Sequence, residues 1–280
     1  MAIGLSNAFI QLFDAEVKQA YQAKAQLVGA TRQRKGVEGS IVKFPKVGKG
    51  AATLRVPQTD VTPLNVNFSQ VQATLEDWNA AEYSDIFMQQ KVNFDERQEL
   101  VQVLSNAIGR RQDQLIIDAL TASSTSLTVA NSIGGANTNL NVDKLREAKK
   151  LMDKNNVPPQ DRHMVIHANS LAGLLGDNEA ISVDYNSIKA LVSGEIDTYL
   201  GFKFHVLGDR TEGGLAVDGS LDRTIWAFHK DAVGYAEGIA PRTEINYVPE
   251  KTSFLVNTIL SATAVAIDAE GIVQLTCREA

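Results

Sequence analysis

Apolar residues recur at helical spacing in two long segments of the chain. Residues 92–121 carry an apolar seam at every seventh position, formed by Phe94, Val101, Ile108 and Leu115. A helix of that length would span about 45 Å at roughly 1.5 Å per residue, and it would be stiff enough to act as a strut. Residues 6–28 carry a similar stripe behind Ser6, which is a suitable N-cap. The sequence therefore predicts an amphipathic N-terminal helix and a second, longer helix.

The pattern between these helices changes to period two. Residues 64–69 alternate apolar with polar side chains, and residues 41–44 supply a second apolar run. This alternation predicts a two-stranded ribbon over residues 39–78. The apolar phase shifts by one residue near Ser69 and Gln70, which predicts a bulge or a bend. Because an isolated two-stranded hairpin is only marginally stable in water, the ribbon is expected to need neighbours.

The second half of the chain alternates short apolar runs with short helical segments. Asn141 or Asp143 is expected to begin a helix that ends near Asn155. Buried strands are predicted at residues 163–167, 201–207 and 224–229, and short helices at residues 170–175 and 185–193. Residues 243–278 are predicted to form long strands with a turn at residues 268–271. These elements favour an α+β fold that contains a compact α/β unit.

The chain carries a formal net charge of −6, but the two signs are separated along the sequence. Residues 1–60 hold nine Lys and Arg against four Asp and Glu, whereas the remainder holds eighteen against twenty-nine. A basic N-terminal fifth can attract the acidic body of another subunit; a solvated basic loop without a partner is the alternative. The candidate contacts between subunits are basic and apolar side chains of the ribbon: Lys43, Lys46, Lys49, Arg55, Leu64, Val66 and Phe68. Arg32, Arg34 and Lys35 are further candidates for charge contacts of the N-terminal segment.

Searches for catalytic, cofactor and metal sites give no candidate. His163 and His167 fall on a predicted strand, where four residues at roughly 3.3 Å each separate them by about 13 Å, too far to share an ion. The run of residues 47–50 resembles a phosphate loop, but Lys43 stands where that motif needs glycine. No Gly-x-Ser-x-Gly elbow occurs. Cys277 lies in an alternating strand and is expected to be a small buried apolar residue. The sequence therefore predicts a protein that is not an enzyme and that binds no cofactor.

Targeting and membrane signals are also missing from the sequence. No apolar run approaches the roughly 20 residues that a membrane helix needs. The N-terminus lacks a cationic start followed by an apolar core, so no signal peptide is predicted. We therefore expect no membrane association and a location inside the cell that makes the protein.

The sequence contains three characteristic stretches, at residues 106–120, 157–175 and 194–206. They resemble the major capsid proteins of tailed bacteriophages, whose shared architecture is called the Johnson fold. Residues 106–120 resemble the end of that family's long spine helix, and residues 157–175 resemble the start of its axial domain. Residues 194–206 are similar to the family's Gly-x-Ile…Gly-Phe-x-Val strand, and they depart from it with Phe204 and His205 before the valine. The order of predicted elements resembles the family over nearly the whole chain.

The resemblance implies four parts with defined boundaries. These are an N-terminal arm (residues 1–38), an extended loop that forms a β-hairpin (residues 39–78), a peripheral domain with the long spine helix (residues 79–157 and 241–280), and an axial α/β domain (residues 158–240).

The resemblance also implies a function and a set of partners. Copies of the chain would self-assemble through hexamers and pentamers into an icosahedral shell around phage double-stranded DNA, bound without sequence specificity. A separate scaffolding protein and a portal are implied, and a decoration protein is a further partner. The shell would be the virion capsid, assembled in the host bacterial cytoplasm. Two alternatives stay open: an encapsulin-type nanocompartment and, more remotely, a small soluble α/β enzyme.

Overall fold

A computed structural model of the chain describes residues 22–58, 60–91, 95–176 and 198–279. The helix predicted over residues 6–28 lies largely outside these ranges, and the one predicted over residues 185–193 lies wholly outside them. Residues 22–27, which are described, form no helix, and a single 3-10 turn follows at Val28–Ala30. The prediction of a helix was wrong for residues 22–28. The backbone N–H groups of Gln26 and Leu27 donate to the Asp113 side chain instead of to helical carbonyls.

The described residues form helices and strands in a mixed order. The α-helices are α1 (Ile86–Gln89), α2 (Glu96–Thr121), α3 (Val142–Lys154) and α4 (Ala168–Leu175). The strands of the first half are β1 (Arg32–Lys35), β2 (Ile41–Val47), β3 (Phe68–Thr74), β4 (Glu76–Asp85) and β5 (Thr128–Val129). The later strands are β6 (Arg162–His167), β7 (Thr198–Tyr199), β8 (Phe202–Leu207), β9 (Asp222–His229), β10 (Val233–Val248), β11 (Ser253–Ala266) and β12 (Ile272–Arg278).

The strands of the described residues form three sheets. A four-stranded sheet has the order β1-β10-β11-β4, and a six-stranded sheet has the order β5-β12-β9-β6-β8-β7. Strands β2 and β3 pair only with each other and form the ribbon. The strands predicted in the second half are thus present, with β12 paired to β9 and β5 in the six-stranded sheet.

The long helix α2 packs across the four-stranded sheet, chiefly on β11 and β4. Its N-cap is Asp95, whose side chain accepts a hydrogen bond from the backbone N–H of Arg97. Ile108 and Leu115 from the predicted seam are buried in the main hydrophobic core. The predicted long helix is confirmed from Glu96 to Thr121, and residues 92–94 lie outside the described ranges.

The helix α3 covers part of the six-stranded sheet. Its N-cap is Asn141, whose side chain accepts the backbone N–H of Lys144 at 2.9 Å. Of the two N-caps that the sequence left open, Asn141 is therefore the one used. The main core lies between these helices and the sheets, and its fully buried members include Leu145, Met164 and Leu275.

The ribbon is a regular hairpin that corrects two predictions. Its register runs without interruption from Ile41 opposite Thr74 to Val47 opposite Phe68, so the bulge or bend near Ser69 and Gln70 was wrong. The phase shift arose because the alternation at Leu64 and Val66 lies outside the strand, which begins at Phe68. Asn65 has a left-handed φ of 45°, which strand pairing does not accommodate. The strand predicted to include Leu64 and Val66 was therefore wrong.

Candidate assembly surface

The base of the ribbon is anchored on the chain's own body by one face. Val42 and Phe44 point inward and pack with Ala236 and Ile267 in a small cluster separate from the main core. The Phe44 ring lies directly on the backbone of Gly234, where an added Cβ would meet ring atoms at 2.8–2.9 Å. Glycine at this position therefore lets the hairpin lie close to β10.

Two ion pairs hold the ribbon nearer to its turn end. Lys46 Nζ lies 2.8 Å from Asp268 Oδ1, and Lys49 Nζ lies 2.5 Å from Glu270 Oε2. The hydrogen bond that Lys49 donates to the Glu270 carboxylate raises the pKa of Lys49. These two candidate residues therefore contact the turn between β11 and β12 of their own chain. Lys43 is exposed.

The turn end of the ribbon is rich in exposed apolar side chains, and we call it the ribbon tip (residues 47–58 and 60–68). Leu54 is 94% exposed, Val61 89% and Phe68 76%. Leu64 is exposed as well, together with Arg55, and Val66 is half-buried. The backbone N–H of Gly48 donates to Asn67 O at 2.7 Å, which closes the two sides of the tip at its base. Exposed apolar patches of this kind mark interaction sites on soluble proteins.

The basic candidates before the ribbon form an exposed edge strand. Arg32, Arg34 and Lys35 lie in β1, which pairs in parallel with β10, and all of their side chains are exposed. Arg34 Nη1 donates to Lys43 O at 3.1 Å, so this edge strand also contacts the ribbon. The structure thus brings the edge strand β1 into contact with the ribbon strand β2 at Lys43.

A second group of exposed apolar side chains, which the sequence reasoning missed, lies at the far end of the four-stranded sheet. We call it the sheet-end patch, and its members are Tyr83, Phe87, Met88, Ile245 and Tyr247. The strand register places Tyr83 on the opposite sheet face from Ile245 and Tyr247. Phe87 is 63% exposed and Met88 56%. Lys251 Nζ lies 3.8 Å from the centre of the Tyr83 ring, a cation–π contact at the rim of the patch. The apolar run of residues 86–88 was the one signal for it in the sequence.

The histidines lie where their chemistry is restricted. His163 Nδ1 and His205 Nε2 are 3.0 Å apart within the six-stranded sheet. Burial, reinforced by the charges of His205 and Lys203, lowers the pKa of His163 to about 4. His167 contacts Glu279 instead, with Nδ1 3.1 Å from Oε1. His163 and His167 thus contact different partners, in agreement with their wide separation along a strand.

Other groups that could carry chemistry are enclosed or structural. Cys277 is fully buried, and burial raises the pKa of its thiol to about 11, so it is a poor nucleophile at neutral pH. Within the described ranges, no group of three or more His, Cys, Asp or Glu side chains is placed to hold a metal ion. A cleft of about 270 Å³ lies beside Lys49, lined by Asn155, His229 and Asp231 among others. The helices in the described part of the chain include none that is long and apolar enough to cross a membrane.

Comparison with known proteins gives one family and a set of similar structures. A family model described as phage capsid protein matches residues 5–279. The capsid of cyanophage P-SCSP1u matches with a TM-score of 0.77 and 16% identity, covering 100% of this chain and 96% of that one. The structure of Mycobacterium phage Che8 matches with a TM-score of 0.74 and 18% identity, covering 97% of this chain and 98% of that one. The head of Helicobacter pylori bacteriophage KHP40 matches with a TM-score of 0.75 and 12% identity, covering 100% and 99%.

These likenesses differ in what they establish. The similar structures have low sequence identity and therefore establish the fold, which confirms the predicted α+β Johnson fold. No curated protein sequence matches the chain. The family model spans nearly the whole sequence and confirms the resemblance inferred from its motifs. The chain belongs to the phage capsid protein family.

Proposed function

We propose that this chain is a major capsid protein whose copies assemble through hexamers and pentamers into an icosahedral shell around phage double-stranded DNA. The observation that carries the proposal is the ribbon tip, where Leu54, Val61 and Phe68 are exposed on a hairpin that projects past its own anchor. Family membership supports a shell subunit with a structural role. It favours a phage shell over an encapsulin-type compartment or a small α/β enzyme.

The energetics of the ribbon tip suit assembly from many weak contacts. Its large exposed apolar side chains are Val47, Leu54, Val56, Val61, Leu64 and Phe68. Covering each one completely would contribute about 1.5–3 kcal/mol, so one tip supplies on the order of 10 kcal/mol. Association itself costs about 4–15 kcal/mol in lost freedom of motion. The free energy gained at a single contact is therefore close to the cost of association. In a closed ring of subunits, each further contact forms at a smaller cost in lost freedom of motion.

The candidate contacts divide into two roles in this proposal. Leu64, Val66 and Phe68 lie on the ribbon tip, as does Arg55, and would face a neighbouring subunit. Lys43, Arg32, Arg34 and Lys35 are exposed basic groups that would orient the approach of an acidic neighbour. Lys46 and Lys49 contact their own chain in the isolated subunit, so contacts with a neighbour would require exchange of those ion pairs.

The proposed domain division follows the sequence-based one with a single change. The arm spans residues 1–38, the extended loop residues 39–78 and the axial domain residues 158–240. The peripheral domain spans residues 79–157 and the long strands from residue 241. Residues 272–278 are grouped with the axial sheet, because β12 pairs with β9.

The further partners follow from the family and not from a described site. A separate scaffolding protein, a portal and a decoration protein are proposed, with assembly in the host bacterial cytoplasm and no cofactor. DNA contacts would be made through charge alone and would carry no sequence preference. Particles from infected cells would then contain nuclease-protected double-stranded DNA, whereas an encapsulin-type shell would contain cargo protein.

Shortening the ribbon tests the proposal. Residues 50–65 are replaced by Asn-Gly, a two-residue turn suited to closing a hairpin, and Lys49 is retained for its ion pair. We expect electron microscopy and size-exclusion chromatography to show shells or discrete capsomers for the parent chain and neither for the variant. The thermal unfolding midpoint should stay nearly unchanged. Normal shells from the shortened chain would overturn the proposal.

Point variants provide a matched control for this deletion. Leu54→Ser with Val61→Ser removes apolar area from the ribbon tip without changing its length, and assembly should be strongly reduced. Val217→Ser changes an exposed apolar side chain outside both apolar surfaces and should leave assembly unchanged. Equal effects of the two changes would show that exposed apolar area in general, and not the ribbon tip, controls assembly.

A further inference from the structure

One buried carboxylate in α2 contacts two segments that are far apart in the sequence. Asp113 Oδ1 accepts the backbone N–H groups of Gln26 and Leu27, each at 3.0 Å. Asp113 Oδ2 accepts Arg210 Nη1 at 3.0 Å. The Asp113 side chain has no exposed surface, and the Arg210 side chain is 6% exposed. The first segment (residues 22–27) is here called the arm segment, and the second (residues 208–216) the polar loop.

The arm segment crosses α2 in close contact with it. Gly109 lies under Ala25, where an added Cβ would come within 3.1 Å of Ala25 N. Arg110 Nη1 reaches Gln22 Oε1 at 3.5 Å, and Leu27 is fully buried in the main core. The position of the arm segment along the helix is therefore set by packing as well as by Asp113.

The polar loop lies on the same turns of α2. The backbone N–H of Gly213 donates to Gln114 Oε1 at 2.7 Å. Gly213 has a φ of +75°, and an added Cβ would come within 2.8 Å of Arg110 O. Arg111 Nη1 lies 3.5 Å from Glu212 Oε1. Residues 109–114 of the helix thus hold both segments, and Asp113 is bound to each of them.

Burial makes these two sets of contacts depend on one another. Burial raises the pKa of Asp113, and the two arm N–H groups and Arg210 act against that rise by stabilising the carboxylate. A buried charge that loses one partner costs free energy, because water cannot reach the site to replace the lost hydrogen bond. If Arg210 leaves, the buried carboxylate loses its charge partner, and protonation or entry of water then weakens its hold on the arm segment. If the arm segment leaves, Arg210 keeps a carboxylate that has lost its backbone donors.

We propose that Asp113 is a positioning residue that couples the seating of the arm segment to the seating of the polar loop. Displacing either segment weakens the hold of α2 on the other, although the two do not need to touch. This consequence rests on the proposed shell function: a neighbouring subunit that moves the polar loop would also loosen the arm segment. Binding of a neighbour at the polar loop would therefore change how firmly the arm segment is held.

Hydrogen exchange on unassembled subunits tests the coupling directly. Arg210→Met keeps the aliphatic stem and removes the charge, and we expect exchange of the Gln26 and Leu27 amides to rise about tenfold. Asp113→Asn should raise exchange in both segments. Arg210→Lys keeps a charge and should restore most of the protection. Asp153→Asn is the matched control, because Asp153 pairs with the buried Arg162 elsewhere in the fold.

A substitution that acts on the arm segment tests the coupling in the reverse direction. Gly109→Ala adds a Cβ whose three nearest neighbours are atoms of Ala25 in the arm segment. If the coupling holds, exchange of the Gly213 and Leu215 amides in the polar loop should rise a few-fold. The proposal is overturned if Arg210→Met changes only the polar loop, or if Gly109→Ala changes only the arm segment. Because exchange is measured on subunits, failure of the coupling is distinguishable from failure of the chain to form shells.

Discussion

The six-stranded sheet and the ribbon use the same kinds of side chain in opposite ways. In β6, Met164, Val165 and Ile166 are consecutive and have no exposed surface. In the ribbon tip, Leu54 is 94% exposed and Val61 is 89% exposed. The difference lies in what covers them, because β6 has a strand on each side and packs against α4, whereas the described chain places no layer over the tip. Folding of the subunit and association of subunits should therefore respond to different substitutions.

Truncation of apolar side chains should give the largest difference in the free energy of unfolding between the two regions. Ile166→Ala is expected to lower the free energy of unfolding by about 2–5 kcal/mol, because it leaves a cavity in a closed core. Leu54→Ala should change it by less than about 0.5 kcal/mol, since the side chain is solvated in the subunit. Urea denaturation measures both values. Similar losses for the two variants would contradict the comparison.

Acid should lower the free energy of unfolding through His163, which pairs with His205 in the six-stranded sheet. Folding lowers the pKa of His163 from 6.5 to about 4, chiefly through burial. The unfolded chain then binds a proton that the folded chain does not, so stability is full above the unfolded pKa and falls as the pH drops towards the folded one. The expected loss is about 3 kcal/mol. Denaturation of the parent chain from pH 7 to pH 4 should show it, and His163→Gln should flatten the profile.

The control for the acid experiment is a histidine outside this pair. His229→Gln leaves His163 and His205 in place and should preserve the steep part of the profile. Burial also lowers the pKa of His205, so His205→Gln is expected to reduce the slope. An unchanged slope in both pair variants would exclude this pair as the origin of acid sensitivity.

The anchor of the ribbon should respond to a single methyl group. Gly234→Ala places a Cβ about 2.8 Å from the Phe44 ring, so the hairpin must shift away from β10. We expect a cost of about 1–3 kcal/mol and faster proteolysis within the ribbon tip. Adding Phe44→Leu to the same chain provides space and should recover part of the loss. A ribbon with unaltered proteolysis would show that Phe44 does not set its position.

Salt should slightly weaken the attachment of the ribbon to the body of the chain and should hardly change the stability of the six-stranded sheet. The Lys46–Asp268 pair is partly exposed on both sides, and exposed pairs of this kind contribute about 0.2–1 kcal/mol. A double-mutant cycle with Lys46→Met and Asp268→Asn should give a coupling energy in that range. The coupling should decline as salt rises, because counterions screen exposed charges. A coupling that stays constant at high salt would indicate a contact more buried than the structure has.

Elements that bury a periodic face could be predicted from the sequence. The seam through Ile108 and Leu115 predicted α2, because a helix on a sheet needs one apolar stripe. By contrast, β1 carries Arg32, Gln33, Arg34 and Lys35, all exposed, and such an edge strand leaves no apolar signal to detect. The helix predicted to extend through residues 22–28 failed because Asp113, far away in the sequence, binds the backbone there.

The candidate surface was predictable in part for the same reason. A ribbon without enough apolar residues for its own core suggested exposure, and the ribbon tip is exposed. The partners of Lys46 and Lys49 were not predictable, because Asp268 and Glu270 lie more than two hundred residues away and a sequence gives no distance between them. Whether the ribbon residues contact another subunit stays a prediction.

The place of β12 in its sheet has a consequence for the timing of synthesis. This strand stands between β5 and β9, with Gln274 opposite Thr128. A ribosome still decoding β11 has already produced β6, β8 and β9, but not the strand that joins them to β5. Pairings this distant along a polypeptide form slowly. A nascent chain therefore cannot complete the six-stranded sheet until β12 has left the exit tunnel. Until then it also cannot present the fully folded surface to other copies of the chain.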